Sequence, residues 1–186
     1  YDLLSALQKS IRGSDPDASI YYFARLVDGG ADVQMIGRRL LVIASEDIGM
    51  AYPSAISITH ACVSAALMVG FPEAAINLAE AVIMLASSPK SNSSIKAYYK
   101  AMSDIKHKDT DMVPDHLRDS HYKGARDKGL GKDYKYPHDF GGYVKQQYLP
   151  DNLHAEGVRY YEPSENGSEA NFKRFLEELR KKYGDN

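Results

Sequence analysis

The sequence predicts an all-α fold: a helical bundle, then an extended Tyr/Lys-rich arm, then one terminal amphipathic helix. Three observations predict it. Apolar residues recur at helical spacing through residues 1–106. Gly, Asp-Pro and Pro-Ser punctuation divides that stretch into segments of helix length. Beyond Lys106 the composition turns to Pro, Gly, Asp, Lys and Tyr.

Leu3, Leu4, Leu7 and Ile11 share one face of the first helix, which Gly13 ends. Asp15-Pro16 supplies an N-cap and an N1 proline for the second, whose stripe is Ile20, Phe23, Ala24 and Val27. Asp32 caps a third carrying Val33, Ile36, Leu40, Ala44 and Ile48, and Gly49 closes it. Pro53-Ser54 opens a fourth helix that runs to Gly70, and Pro72-Glu73 a fifth that stops near Ser87. A sixth runs from Ser91 or Asn92 to Lys106. The starts are evenly spaced, but no consensus repeats from unit to unit, so a compact bundle fits better than a repeat array. The expected organisation is a bundle over 1–106 and an arm plus terminal helix over 107–186, packed as one structural unit.

From Ala51 to Ser88 the only charged residues are Glu73 and Glu80, and ten residues are alanine. A surface helix needs a polar face, and these two helices barely have one. Either they fill the centre of the domain or another subunit covers them. The candidate interface residues are Ile56, Val63, Ala66, Leu67, Ala75, Ala79 and Val82.

The arm is rich in tyrosine (Tyr122, Tyr134, Tyr136, Tyr143, Tyr148, Tyr160, Tyr161), which disordered tails are not. It is expected to lie over the bundle with its rings in surface grooves, with short helical turns at Asp115–Arg118 and after His121. Ser168 to Tyr183 is an amphipathic helix with Phe172, Phe175, Leu176 and Leu179 on one face. Between His121 and Gln147 six Lys/Arg stand against three acids. Cations interleaved with aromatic rings are the chemistry of single-strand binding, so Lys90, Lys123, Arg126, Lys128, Lys132 and Lys135 are candidate DNA contacts. The competing reading is a solvated loop with its tyrosines turned inward.

Composition excludes little else. The net charge is −2, so no global charge drives nucleic-acid or membrane binding. The lone cysteine, Cys62, sits in an apolar run, where packing in a reducing cytosol is expected. No apolar run reaches membrane-spanning length. The chain opens inside a helical pattern without methionine, as a piece of something longer would. No phosphate-binding glycine loop and no zinc motif occurs; His116 and His121 are five apart, which does not stack two ligands on one helix face. Glu46-Asp47 points its carboxylates about 100° apart on a helix, so these acids are expected to pair with Arg38, Arg39 or another helix rather than to catalyse. No catalytic, cofactor or metal residue is assigned.

Several segments, taken in order, carry a resemblance: Ser10-Ile11-Arg12-Gly13-Ser14-Asp15-Pro16-Asp17-Ala18; Arg38-Arg39-Leu40 with Ala44-Ser45-Glu46-Asp47-Ile48-Gly49; Pro89-Lys90-Ser91-Asn92; Pro114 to Asp119; Tyr134 to Asp139; and Gln147-Tyr148-Leu149-Pro150. This set resembles the RarA/MgsA family of AAA+ ATPases, of the clamp-loader clade, which includes the Werner-helicase-interacting proteins. Ser93-Ser94-Ile95 departs from the family pattern of small residues and an aromatic. The resemblance implies a collar-like C-terminal domain that assembles a homotetramer. It implies a parent protein, cytoplasmic and nucleoid-associated, that acts on DNA at stalled replication forks and works with single-stranded-DNA-binding protein. ATP and magnesium would bind the parent's preceding domain, and no cofactor this one.

Overall fold

The computed structural model describes residues 1–185. They form eight α-helices joined by short 3-10 turns, with no strand among the described residues. The helices are α1 (Asp2–Arg12), α2 (Pro16–Asp28), α3 (Val33–Ile43), α4 (Ala55–Val69), α5 (Ala74–Ala86), α6 (Ser93–His107), α7 (Asp151–Glu156) and α8 (Glu169–Tyr183).

The starts of α2 and α3 follow from their caps. The Asp15 carboxylate accepts the Ala18 N–H at 2.9 Å, and Asp32 that of Met35 at 2.7 Å. Each satisfies one of the orphan donors of a first turn. Of the expected stripe of α2, Phe23 is buried and Ile20 and Val27 pack half-buried against the core, whereas Ala24 faces outward and Ser19 and Leu26 are buried instead. The third helix also departs from expectation. After Ile43 it widens into a π-helical turn, Ala44–Ile48. The wider turn buries Asp47 together with Ala44 and Ile48. A 3-10 turn, Gly49–Ala51, follows.

The chain forms two compact units. The first is Tyr1–Tyr99 with Tyr161–Lys173; the second is Lys100–Tyr160 with the chain from Arg174 onward. The core of the first unit joins Leu7 and Ile11 of α1, Phe23 of α2, Ile36 and Leu40 of α3, Val63 and Ala66 of α4, and Leu78, Val82 and Leu85 of α5. α3 and α4 approach very closely: a Cβ built on Gly37 would lie 2.6 Å from Val63 Cγ1. Glycine is there for contact, not for an unusual φ.

In the second unit the loop 115–131 folds around buried Ala125 and Leu130. The Gly131 N–H donates to the Asp115 carbonyl at 2.8 Å. Short turns occur at Asp115–Leu117 and Arg126–Lys128, where the sequence hints at helix. Tyr160 donates to Asp104 at 2.8 Å, and Lys108 bridges Asp104 and Glu156. Tyr143 packs on Tyr183, with ring centroids 4.7 Å apart. Tyr122, Tyr134, Tyr136 and Tyr148 are exposed instead of filling grooves. The expected apolar face of α8 is also largely open, with Phe172 and Phe175 exposed and Leu176 and Leu179 half-buried.

Candidate functional site

Three groups of residues stand out, and none is a catalytic constellation. The first joins sequence words far apart in the chain. Asp47, which the π-helical turn faces inward, accepts from Arg12 Nε at 2.6 Å. Glu46 lies 3.8 Å from Arg12 and accepts from Gln8 at 2.9 Å, while Arg39 donates to Gln8 Oε1 at 3.2 Å. The two acids therefore serve an inter-helix ion pair, as their adjacent spacing suggested. The Asp47 backbone carbonyl accepts the Ser91 N–H at 2.8 Å. Lys90 donates to Ser14 Oγ at 3.0 Å and to the carbonyls of Ala86 and Ser88, closing the C-terminal end of α5. Burial lowers the Lys90 pKa. This candidate DNA contact thus spends its ammonium inside the first unit.

The second group is a buried carboxylate that sequence reasoning passed over. Glu169, the first residue of α8, is fully buried. Its carboxylate accepts hydroxyls from Ser91 at 2.5 Å, Ser164 at 2.5 Å, Tyr161 at 2.7 Å and Ser93. Burial on its own raises its pKa, but the four donors outweigh burial and hold the carboxyl at about 2. Burial and the Glu169 contact push Tyr161 up to about 12. Ser93, one of the departures from the family pattern, is a working member of this cluster. The strap 161–168 is fastened further by Asn166 donating to the Lys90 carbonyl at 2.9 Å and by the Ser168 N–H on the Ala51 carbonyl at 2.8 Å.

The third group is the outer surface of the α4–α5 hairpin. Of the candidate interface residues, Val63, Ala66 and Val82 lie in the core of their own unit. Ala75 and Ala79 are half-buried against it. Ile56 and Leu67 are exposed. The apolar residues that reach solvent are therefore others: Met68 (87% exposed), Val69, Phe71, Ile76 (72%) and Ile83 join Leu67 and Ile56. The uncharged composition of the hairpin gave the surface, but helical phase decides which side chains face out. Cys62 is buried, and burial raises its thiol pKa.

In the arm, Lys123, Arg126, Lys128, Lys132 and Lys135 are all exposed, on the same unit as the outward Tyr122, Tyr134 and Tyr136. The loop is held from within: Gln146 accepts the Lys135 N–H at 3.2 Å and donates to its carbonyl at 2.7 Å. His116 faces the Gln147 carbonyl at 2.7 Å and His121 faces Asp119 at 2.6 Å, so each imidazole has its own partner. No group of three metal-ligating side chains occurs among the described residues. No helix of these residues is long and apolar enough to cross a membrane.

The described residues form an all-α structure whose signature segments meet around Arg12, Asp47 and Ser91. The family model described as MgsA AAA+ ATPase C terminal matches residues 13–180, and the chain belongs to that family. It is 52% identical over 98% of its length to the replication-associated recombination protein A of Bacillus subtilis, covering 43% of that relative. To the protein of the same name in Escherichia coli K12 it is 39% identical over 91% of its length, covering 38%. A more distant relative is the ATPase WRNIP1 of Dictyostelium discoideum, 38% identical over 84% of this chain and 18% of the relative. The chain thus spans about two fifths of the length of these two bacterial relatives.

Proposed function

We propose that this chain is the tetramerisation domain of a AAA+ ATPase that acts in DNA replication, recombination and repair at stalled forks. One observation carries the reading. Leu67, Met68, Phe71, Ile76 and Ile83 face solvent on a hairpin with only two charges. Large apolar side chains exposed together on one hairpin mark an interaction site, and closed symmetric assembly covers them without aggregation. The names of the relatives, which speak of replication-associated recombination, support the cellular role. Fourfold assembly, ATP and magnesium in a preceding domain, work beside single-stranded-DNA-binding protein, and a cytoplasmic, nucleoid-associated setting rest on the family resemblance.

The test is the solution mass of this chain, with Leu67→Glu and Ile76→Glu beside it. Both sites are exposed, so the variants should remain helical and fall in mass. Unchanged mass in both variants would remove the hairpin from the interface.

The exposed cations and tyrosines of the arm favour a second reading, a DNA-contact module, and the two are compatible. It rests on Lys123, Arg126, Lys128 and Lys132 being outward while Ala125 and Leu130 anchor the loop. A gel-shift titration against single strands tests it.

A further inference from the structure

We propose that copies of this chain join head to tail, the tip of the α4–α5 hairpin of one copy entering the α1–α3 groove of the next, with Glu73 meeting Arg38. The proposal rests on the self-assembly reading above and specifies the joint.

The groove, of about 380 Å³, is lined by Leu4 of α1 and by Met35, Arg38, Arg39 and Val42 of α3, with Asp32 and Gln34 at its edge. Met35 and Val42 are both 47% exposed and lie seven residues apart, on one side of α3. The cavity has room for one or two large side chains. Two cations, Arg38 and Arg39, outnumber its one acid, Asp32. The Asp32 carboxylate is committed to the Met35 N–H, and Arg39 donates to Gln8. Arg38 is exposed and has no acidic partner among the described residues. The groove therefore calls for an occupant that brings an apolar side chain for its floor and a carboxylate for Arg38.

The same chain carries such an occupant. At the hairpin tip, Met68, Phe71, Glu73 and Ile76 are all exposed. Glu73 is exposed and has no cationic partner among the described residues. Apart from Glu80 it is the only charge between Ala51 and Ser88, so nothing on the tip opposes the guanidinium. An apolar knob with one acid matches an apolar groove with one free cation. Knob and groove share no residue, which permits a heterologous joint. Such joints propagate from copy to copy and close into rings when the rotation allows, as a tetramer would require.

Charge exchange tests the joint by sedimentation of the native chain, R38E, E73R and the double variant R38E/E73R. Both positions are on the surface, and circular dichroism confirms that the helices persist. Each single reversal should weaken assembly by about 30-fold or more, as for a like charge at a desolvated contact, and the double exchange should restore it. Arg38→Gln and Glu73→Gln should fall between native and reversed. Single reversals that assemble like the native chain, or a double variant that fails to recover, would overturn the joint while leaving self-assembly intact. A native chain that is monomeric removes both. Direction is read separately: a Val42→Cys/Ile76→Cys chain treated with a bifunctional maleimide should give covalent products beyond two copies. A ladder that stops at two would mean paired, not head-to-tail, contacts.

Discussion

Glu169 is the residue on which the strap 161–168 turns. Taking a carboxylate out of water is costly unless its lone pairs are filled, and here four hydroxyls fill them. Its folded pKa of about 2 lies below the ordinary 4.5, so the charged form is favoured in the folded state. That stability is fully present above about pH 4.5 and is lost as pH falls toward 2. Glu169→Gln should cost about 2–3 kcal/mol at neutral pH and flatten the acid limb of a urea-melt pH series between those values. An unchanged limb would show that the cluster contributes nothing to linkage. None of this was legible in the sequence, because Ser91 and Ser93 are 78 and 76 residues from their acceptor. Local spacing carries no information about such a pair. The Asp15 and Asp32 caps were legible, since donor and acceptor lie within one turn. Glu46-Asp47 was legible in part: the spacing argued for inter-helix pairing, but only the structure names Arg12 as the partner.

At the scale of the element, the α3–α4 contact sets a sharp test. Alanine is a better helix former than glycine by about 1 kcal/mol. At Gly37, however, its Cβ would press on Val63 Cγ1 at 2.6 Å. Gly37→Ala should therefore destabilise by about 1–3 kcal/mol; a stabilised variant in denaturant melts would show that the two helices separate freely. The hairpin gives a paired prediction. Ala66→Glu and Val82→Lys place charges at fully buried sites and should unfold the chain, at a cost of several kcal/mol each. The exposed substitutions at Leu67 and Ile76 should not. Retained helicity in Ala66→Glu, read by circular dichroism, would contradict the core assignment. The sequence made the hairpin conspicuous through its missing charges. It did not show which face turns outward, because a helix apolar all round has no phase to read. α2 does have a readable phase, and Ser19 joins its buried face with its hydroxyl donating to the Asp15 carbonyl at 2.6 Å.

At the scale of the whole molecule, the arm and the hairpin make separate claims. If the arm meets single strands, replacing Lys123, Arg126, Lys128 and Lys132 by Ala should flatten the salt dependence of binding, by about 0.7 released counterions per lost phosphate contact. An unaltered slope would leave the arm a folded loop and nothing more. The central claim is self-assembly, and the most direct measurement is multi-angle light scattering on the native chain at about 100 μM, well above the Kd of a stable interface. One copy weighs 20.7 kDa, so the account predicts a single species of about four times that mass. A species of 20.7 kDa at that concentration would contradict it.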